Sequence, residues 1–81
     1  MRIPEKLYDI LRSLLDEDEV DISNVESYKL STKNHIVKGW VRFKKPLTAE
    51  GYNVITFAFY ERISEDGKRE LTLIEYDFLF G

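Results

Sequence analysis

Two periodicities divide this chain into one helix and a set of strands. Near its start, Leu7, Ile10, Leu11, Leu14 and Leu15 recur at helical spacing, with Glu5, Lys6, Asp9, Arg12, Ser13 and Asp16 on the other side. Apolar positions three and four apart form one stripe of an amphipathic helix, so the pattern predicts a helix from Pro4 to about Asp16. Pro4 suits a first helical position, where its φ is pre-set and its missing N–H removes nothing the helix needs.

From Tyr52 to Phe80 the period drops to two, and Asp66-Gly67 separates two apolar runs. That dipeptide is the signature of a two-residue type I′ turn, whose central residues need positive φ. Setting Glu65 opposite Lys68 pairs Ile63 with Glu70, Glu61 with Thr72, Phe59 with Ile74, Phe57 with Tyr76, Ile55 with Phe78 and Asn53 with Phe80 on one face. The other face then holds Arg62 with Leu71, Tyr60 with Leu73, Ala58 with Glu75, Thr56 with Asp77 and Val54 with Leu79. A slip of one residue would exchange the faces and bury Glu75 and Asp77 without partners, which favours this register.

Between Asn24 and Lys45 a second hairpin is predicted. A turn at Asn34-His35 sets Lys29 opposite Trp40, where a cation–π contact can form, whereas Lys33-Asn34 would oppose Lys29 to Lys38. Tyr28, Leu30, Val37, Gly39, Val41 and Phe43 continue the apolar face; Gly39 suggests a gap that Tyr28 covers, or a bulge. Pro46 and Gly51 make the segment between the hairpins a loop.

These elements define an α+β fold with α-β-β-β-β order: one N-terminal helix packed on a four-stranded antiparallel meander, a single domain over residues 1–81. The expected core is Leu7, Leu11, Leu14, Tyr28, Leu30, Val37, Val41, Phe43, Ile55, Phe57, Phe59, Ile74, Tyr76 and Phe78. One sheet face remains uncovered. Its expected rows are Lys38–Tyr60–Leu73, Trp40–Ala58–Glu75 and Arg42–Thr56–Asp77, a shallow trough with Trp40 and Arg42 on one bank and Glu75 and Asp77 on the other. Contiguous apolar residues on an uncovered face mark an interface. Trp40, Arg42, Lys38, Tyr60, Leu73, Glu75 and Asp77 are therefore the candidate partner-binding residues, and Trp40→Ala is expected to weaken association.

Composition narrows the chemistry. The chain has no cysteine, one histidine and a formal charge of −3. Disulfides, thiolate metal sites and a cysteine nucleophile are excluded, and His35 falls at a turn with no acid or hydroxyl placed beside it. The four glycines are too far apart for a phosphate loop. Glu75 and Asp77 are the paired carboxylates of one strand face, but an open face does little to separate their pKa values. No enzyme activity and no cofactor are expected. Asp16-Glu17-Asp18-Glu19-Val20-Asp21 is strongly acidic, yet lacks the alternating acids, central glycine and late glutamate of a calcium loop. It reads first as a solvated stretch, with a docking strip for a basic partner and then a cation site as the lesser alternatives.

No apolar run is long enough for a membrane span or a signal-peptide core, so the expected setting is cytoplasmic. The expected function is a small non-enzymatic protein-interaction module, self-associating through the outer face or an edge of its sheet. The alternative is single-stranded nucleic-acid binding, with bases stacked on Trp40 amid the neighbouring lysines and arginine. Glu75, Asp77 and the negative total weigh against that alternative.

Overall fold

The computed structural model describes residues 2–16 and 19–81. Helix α1 (Glu5–Leu15) is followed by a short 3₁₀ turn (Ile22–Asn24) and four strands, β1 (Val25–Lys33), β2 (Ile36–Phe43), β3 (Val54–Ile63) and β4 (Arg69–Leu79). The strands form one open antiparallel sheet in the order β1-β2-β3-β4. This is the α-β-β-β-β meander expected from the periodicities.

Helix α1 starts one residue later than expected. Pro4 is its extended N-cap residue, with its carbonyl accepting from the Tyr8 N–H at 3.2 Å. At the other end Asp16 turns left-handed, with φ of 52°, a conformation that aspartate tolerates better than most residues. Leu7, Ile10 and Leu11 are fully buried against Val37, Val41, Phe43, Ile55 and Phe59 of the sheet. Full burial of one such side chain is worth about 1.5–3 kcal/mol.

The first hairpin turns at Asn34-His35, both at positive φ (51° and 66°), and sets Lys29 opposite Trp40. The cation–π contact among the described residues lies elsewhere, between Arg12 and Tyr8. Gly39 is explained by close approach: a Cβ there would collide with the Lys29 carbonyl oxygen and press on the Phe57 ring. Phe57, rather than Tyr28, crowds this position, and the irregularity of β1 falls at Val25/Ser27.

The second hairpin departs from expectation at its turn. Ser64 N–H donates to the Lys68 carbonyl and Gly67 N–H to the Ser64 carbonyl, each at 2.9 Å, with Gly67 at φ 83°. This is a three-residue loop, a type I turn closed by a left-handed glycine, rather than a two-residue I′ turn. Asp66 supports it by accepting from the Ser64 hydroxyl and from the Lys68 N–H. Near the turn the pairs are therefore Tyr60 with Thr72, Glu61 with Leu71 and Arg62 with Glu70, one residue out of the expected register.

A bulge between Ala58 and Phe59 on the β3 side, with Ile74 as the additional residue of β4, undoes the slip. Beyond it the expected pairs return: Ala58 with Glu75, Thr56 with Asp77 and Val54 with Leu79. Glu75 and Asp77 thus stay off the helix side, where they would be buried without partners.

Two expected core residues are not in the core. Ile74 is 53 % exposed as the bulge residue, and Tyr76 is 51 % exposed although its β3 partner Phe57 is buried. The reason is lateral position: β4 is an edge strand, and the buried helix residues belong to the cluster centred on β2 and β3.

Candidate interaction surface

The outer face is read from the three ladders together. Its rows, from β1 to β4, are Lys33–Ile36–Tyr60–Thr72, Ser31–Lys38–Ala58–Glu75, Lys29–Trp40–Thr56–Asp77 and Ser27–Arg42–Val54–Leu79. The faces of β2 and β3 are as expected, but their mutual register lies two residues away from the expected one. The connecting loop explains this difference. Phe43 N–H donates to the Asn53 carbonyl at 2.8 Å and Leu47 N–H to the Tyr52 carbonyl at 2.8 Å, while Gly51 N–H closes on the Thr48 carbonyl at 3.1 Å. The loop zips itself shut, and its length sets which residues of β2 and β3 meet.

Consequently the trough is re-composed. Ala58 and Thr56 form its floor, Lys38 and Trp40 its β2 bank, and Glu75 and Asp77 its β4 bank. Ala58 is buried and Trp40 half-buried, whereas Lys38, Glu75 and Asp77 are exposed. A shallow depression lined by Thr56, Phe57, Glu75, Tyr76 and Asp77 marks the acidic bank, and another, lined by Ser31, Lys33, Asn34, Ile36 and Lys38, marks the basic side.

Arg42 belongs to the row below the trough, beside Val54, with Gly81 lying against both. Tyr60 stays on this face, 44 % exposed and with its ring centroid 6.0 Å from that of His35. Leu73 does not: the three-residue turn pairs it with Phe59, placing it on the helix side. Thr72 takes the position beside Tyr60 that was expected for Leu73.

Strand spacing leaves the banks two strands, about 9–10 Å, apart. Among the described residues, the ion pairs join Lys6, Arg62, Lys68 and Arg69 to Glu61, Glu70, Asp66 and Asp9. Lys29, Lys38, Glu75 and Asp77 take no part in them. The outer face therefore displays two separated patches of opposite sign that no ion pair among the described residues joins, with Trp40 on the basic bank beside Lys38.

The helix side holds a cluster that sequence reasoning missed. Glu61, its side chain 13 % exposed, accepts from Lys6 Nζ at 3.0 Å and from Arg69 Nε at 2.9 Å, and Arg69 Nη1 reaches Asp9 at 3.2 Å. Burial pushes the Glu61 carboxyl up, but the Lys6 and Arg69 bonds and charges outweigh it and hold its pKa below the ordinary 4.5. The cluster fastens α1 to both strands of the second hairpin. Its one legible signal was the charge of Lys6 and Asp9 on the first helical turns; the rest depended on the three-residue turn, which brings Arg69 to the helix side.

Edge strands β1 and β4 are both open, and of the two β4 carries the exposed large apolar residues. Leu73, Ile74, Tyr76 and Leu79, with Phe80 beyond them, are all exposed, and they lie on both sides of the sheet. Tyr52 stacks on Phe80 with ring centroids 4.4 Å apart, yet Phe80 remains 67 % exposed.

The acidic stretch is described only in part. Glu17 and Asp18 lie outside the described residues, while Asp21 caps the 3₁₀ turn by accepting from Ser23 N–H at 3.1 Å. Among the described residues no group of three or more potential ligands is gathered for a metal ion, and no helix is long and apolar enough to cross a membrane. Compared with family models, curated proteins and solved structures, the chain matches none.

Proposed function

We propose that this protein is a small non-enzymatic interaction module that self-associates through its sheet, with the outer face around Trp40 as the primary surface. The observation that supports this most is a half-buried tryptophan on the basic bank of the face, looking across Thr56 to an acidic bank to which no ion pair among the described residues joins it. Aromatic residues ringed by polar groups are the usual energetic anchors of interfaces. Lys38, Tyr60, Glu75 and Asp77 surround that anchor, and Leu79 adds apolar area. Arg42 contributes from the adjoining row, and Leu73 contributes from the edge of β4 rather than from the face. The setting that fits the reading is cytoplasmic.

Trp40→Ala is expected to weaken association by more than about 1 kcal/mol while leaving the fold intact. Light scattering across a concentration series reads the first effect and circular dichroism the second. Unchanged association would remove Trp40 from the interface.

A second route to the same behaviour is edge pairing through β4. Its support is the exposed apolar residues on both sides of an open edge, since unpaired strand edges are templates for another strand.

A further inference from the structure

We infer that the occupant of the outer face is a second copy of this chain, packed face to face about a two-fold axis that runs along the strands. The inference rests on the interaction reading above and adds the partner's orientation. Lys29 and Lys38 stand on the β1/β2 side of the face, and Glu75 and Asp77 on β4. All four are exposed. Within one chain no ion pair joins these charges, and the ion pairs among the described residues lie elsewhere.

A two-fold interface brings the same surface of each copy together, so each bank meets whichever bank the axis places over it. An axis along the strands lays β1 and β2 of one copy toward β4 of the other. Basic bank then covers acidic bank, twice. An axis across the strands would lay β1 over β1 and β4 over β4, opposing like charges at both ends. Like-charge juxtaposition is what excludes wrong docking orientations. Both axes keep the strand lines of the two sheets nearly aligned, the usual geometry of stacked sheets, so charge is what chooses between them. Trp40 and Thr56, in the row that ends at Asp77, fall toward the middle of the covered area.

The test is a mixing experiment on full-length protein. One variant carries Lys29→Glu and Lys38→Glu, making both banks acidic; the other carries Glu75→Lys and Asp77→Lys, making both basic. Each alone should associate at least about tenfold more weakly than wild type, because every bank now meets its like. Mixed in equal amounts they should restore a species of twice the monomer mass, with acidic banks over basic ones on both sides. If the mixture associates far more tightly than wild type, like banks already face each other in the wild-type dimer, so the orientation is wrong while the interaction reading stands. Variants that dimerise as tightly as wild type with no gain on mixing would place the interface elsewhere, strand-edge pairing included, and a wild type that stays monomeric would overturn both readings. Should a double substitution fail to fold, Lys38→Glu and Glu75→Lys alone make the same comparison.

Discussion

The two hairpins start from similar turn chemistry and each gives the sheet one inner and one edge strand, yet they keep their register differently. In the first, Asn34 and His35 close a two-residue turn that keeps one register through most of its length, and β2 lies inside the sheet. In the second, a three-residue loop displaces the register by one residue, a bulge at Ile74 restores it, and β4 is left at the edge. The difference shows which constraint governs where. Local turn chemistry decides pairing for the few residues nearest the loop, but farther along the strand the burial of side chains takes over. The bulge is the boundary between the two regimes.

The largest consequence to test is the contrast between β3 and β4. Phe59 is fully buried, so Phe59→Ala should destabilise the fold by about 3–5 kcal/mol. Tyr76→Ala, on the same sheet face, should change stability by less than about 1 kcal/mol because the ring is already half in water. Chemical denaturation of both variants measures this directly. A comparable loss for Tyr76→Ala would mean that β4 is covered in solution and that the edge is not free.

Smaller effects belong to the turns. Gly67→Ala forces a Cβ into left-handed backbone and should lower stability by about 1 kcal/mol, even though nothing crowds the site. His35→Gly should do the reverse in the first hairpin, raising stability by up to about 1 kcal/mol by relieving positive φ. Thermal unfolding of the two variants gives both signs, and a neutral Gly67→Ala would refute the three-residue loop.

The subtlest effect is one of pH. The Glu61 carboxyl has a lowered pKa in the folded chain, so its contribution to stability is complete above the unfolded value near 4.5. It is lost as pH falls through the lower folded value. Denaturation midpoints from about pH 6 to about pH 3 should therefore fall less steeply for Glu61→Gln than for wild type. Equal slopes would show that the Lys6–Glu61–Arg69 cluster contributes nothing in solution.

Much of this architecture is legible in the amino-acid sequence. Helix α1, the strand order and the outward placement of Glu75 and Asp77 follow from periodicity and from the cost of burying a charge, and the Asn34-His35 turn follows from keeping Lys29 off Lys38 and opposite Trp40. Three features were not. Asp-Gly is compatible with both a two- and a three-residue turn, and the choice rests on Ser64 and Asp66 bonding across the loop. The β2/β3 register depends on how residues 44–53 zip together, which alternation cannot count. Exposure of Ile74 and Tyr76 depends on how far one short helix reaches across four strands. The candidate face survived these changes because a two-residue slip preserves sidedness: Trp40 still confronts the acidic bank, now at Asp77 instead of Glu75, Lys38 takes the place across from Glu75 expected for Trp40, and Arg42 and Leu73 leave the trough.

Trp40 is the sole tryptophan, and it lies within the proposed interface. Its fluorescence, followed by dilution through the range in which light scattering detects a change in mass, tests the outer-face reading most directly. Association through that face predicts a red shift of emission in step with dissociation, as the indole passes from a covered site into water. Emission that stays constant while the mass halves would contradict it and place association away from Trp40, at a strand edge.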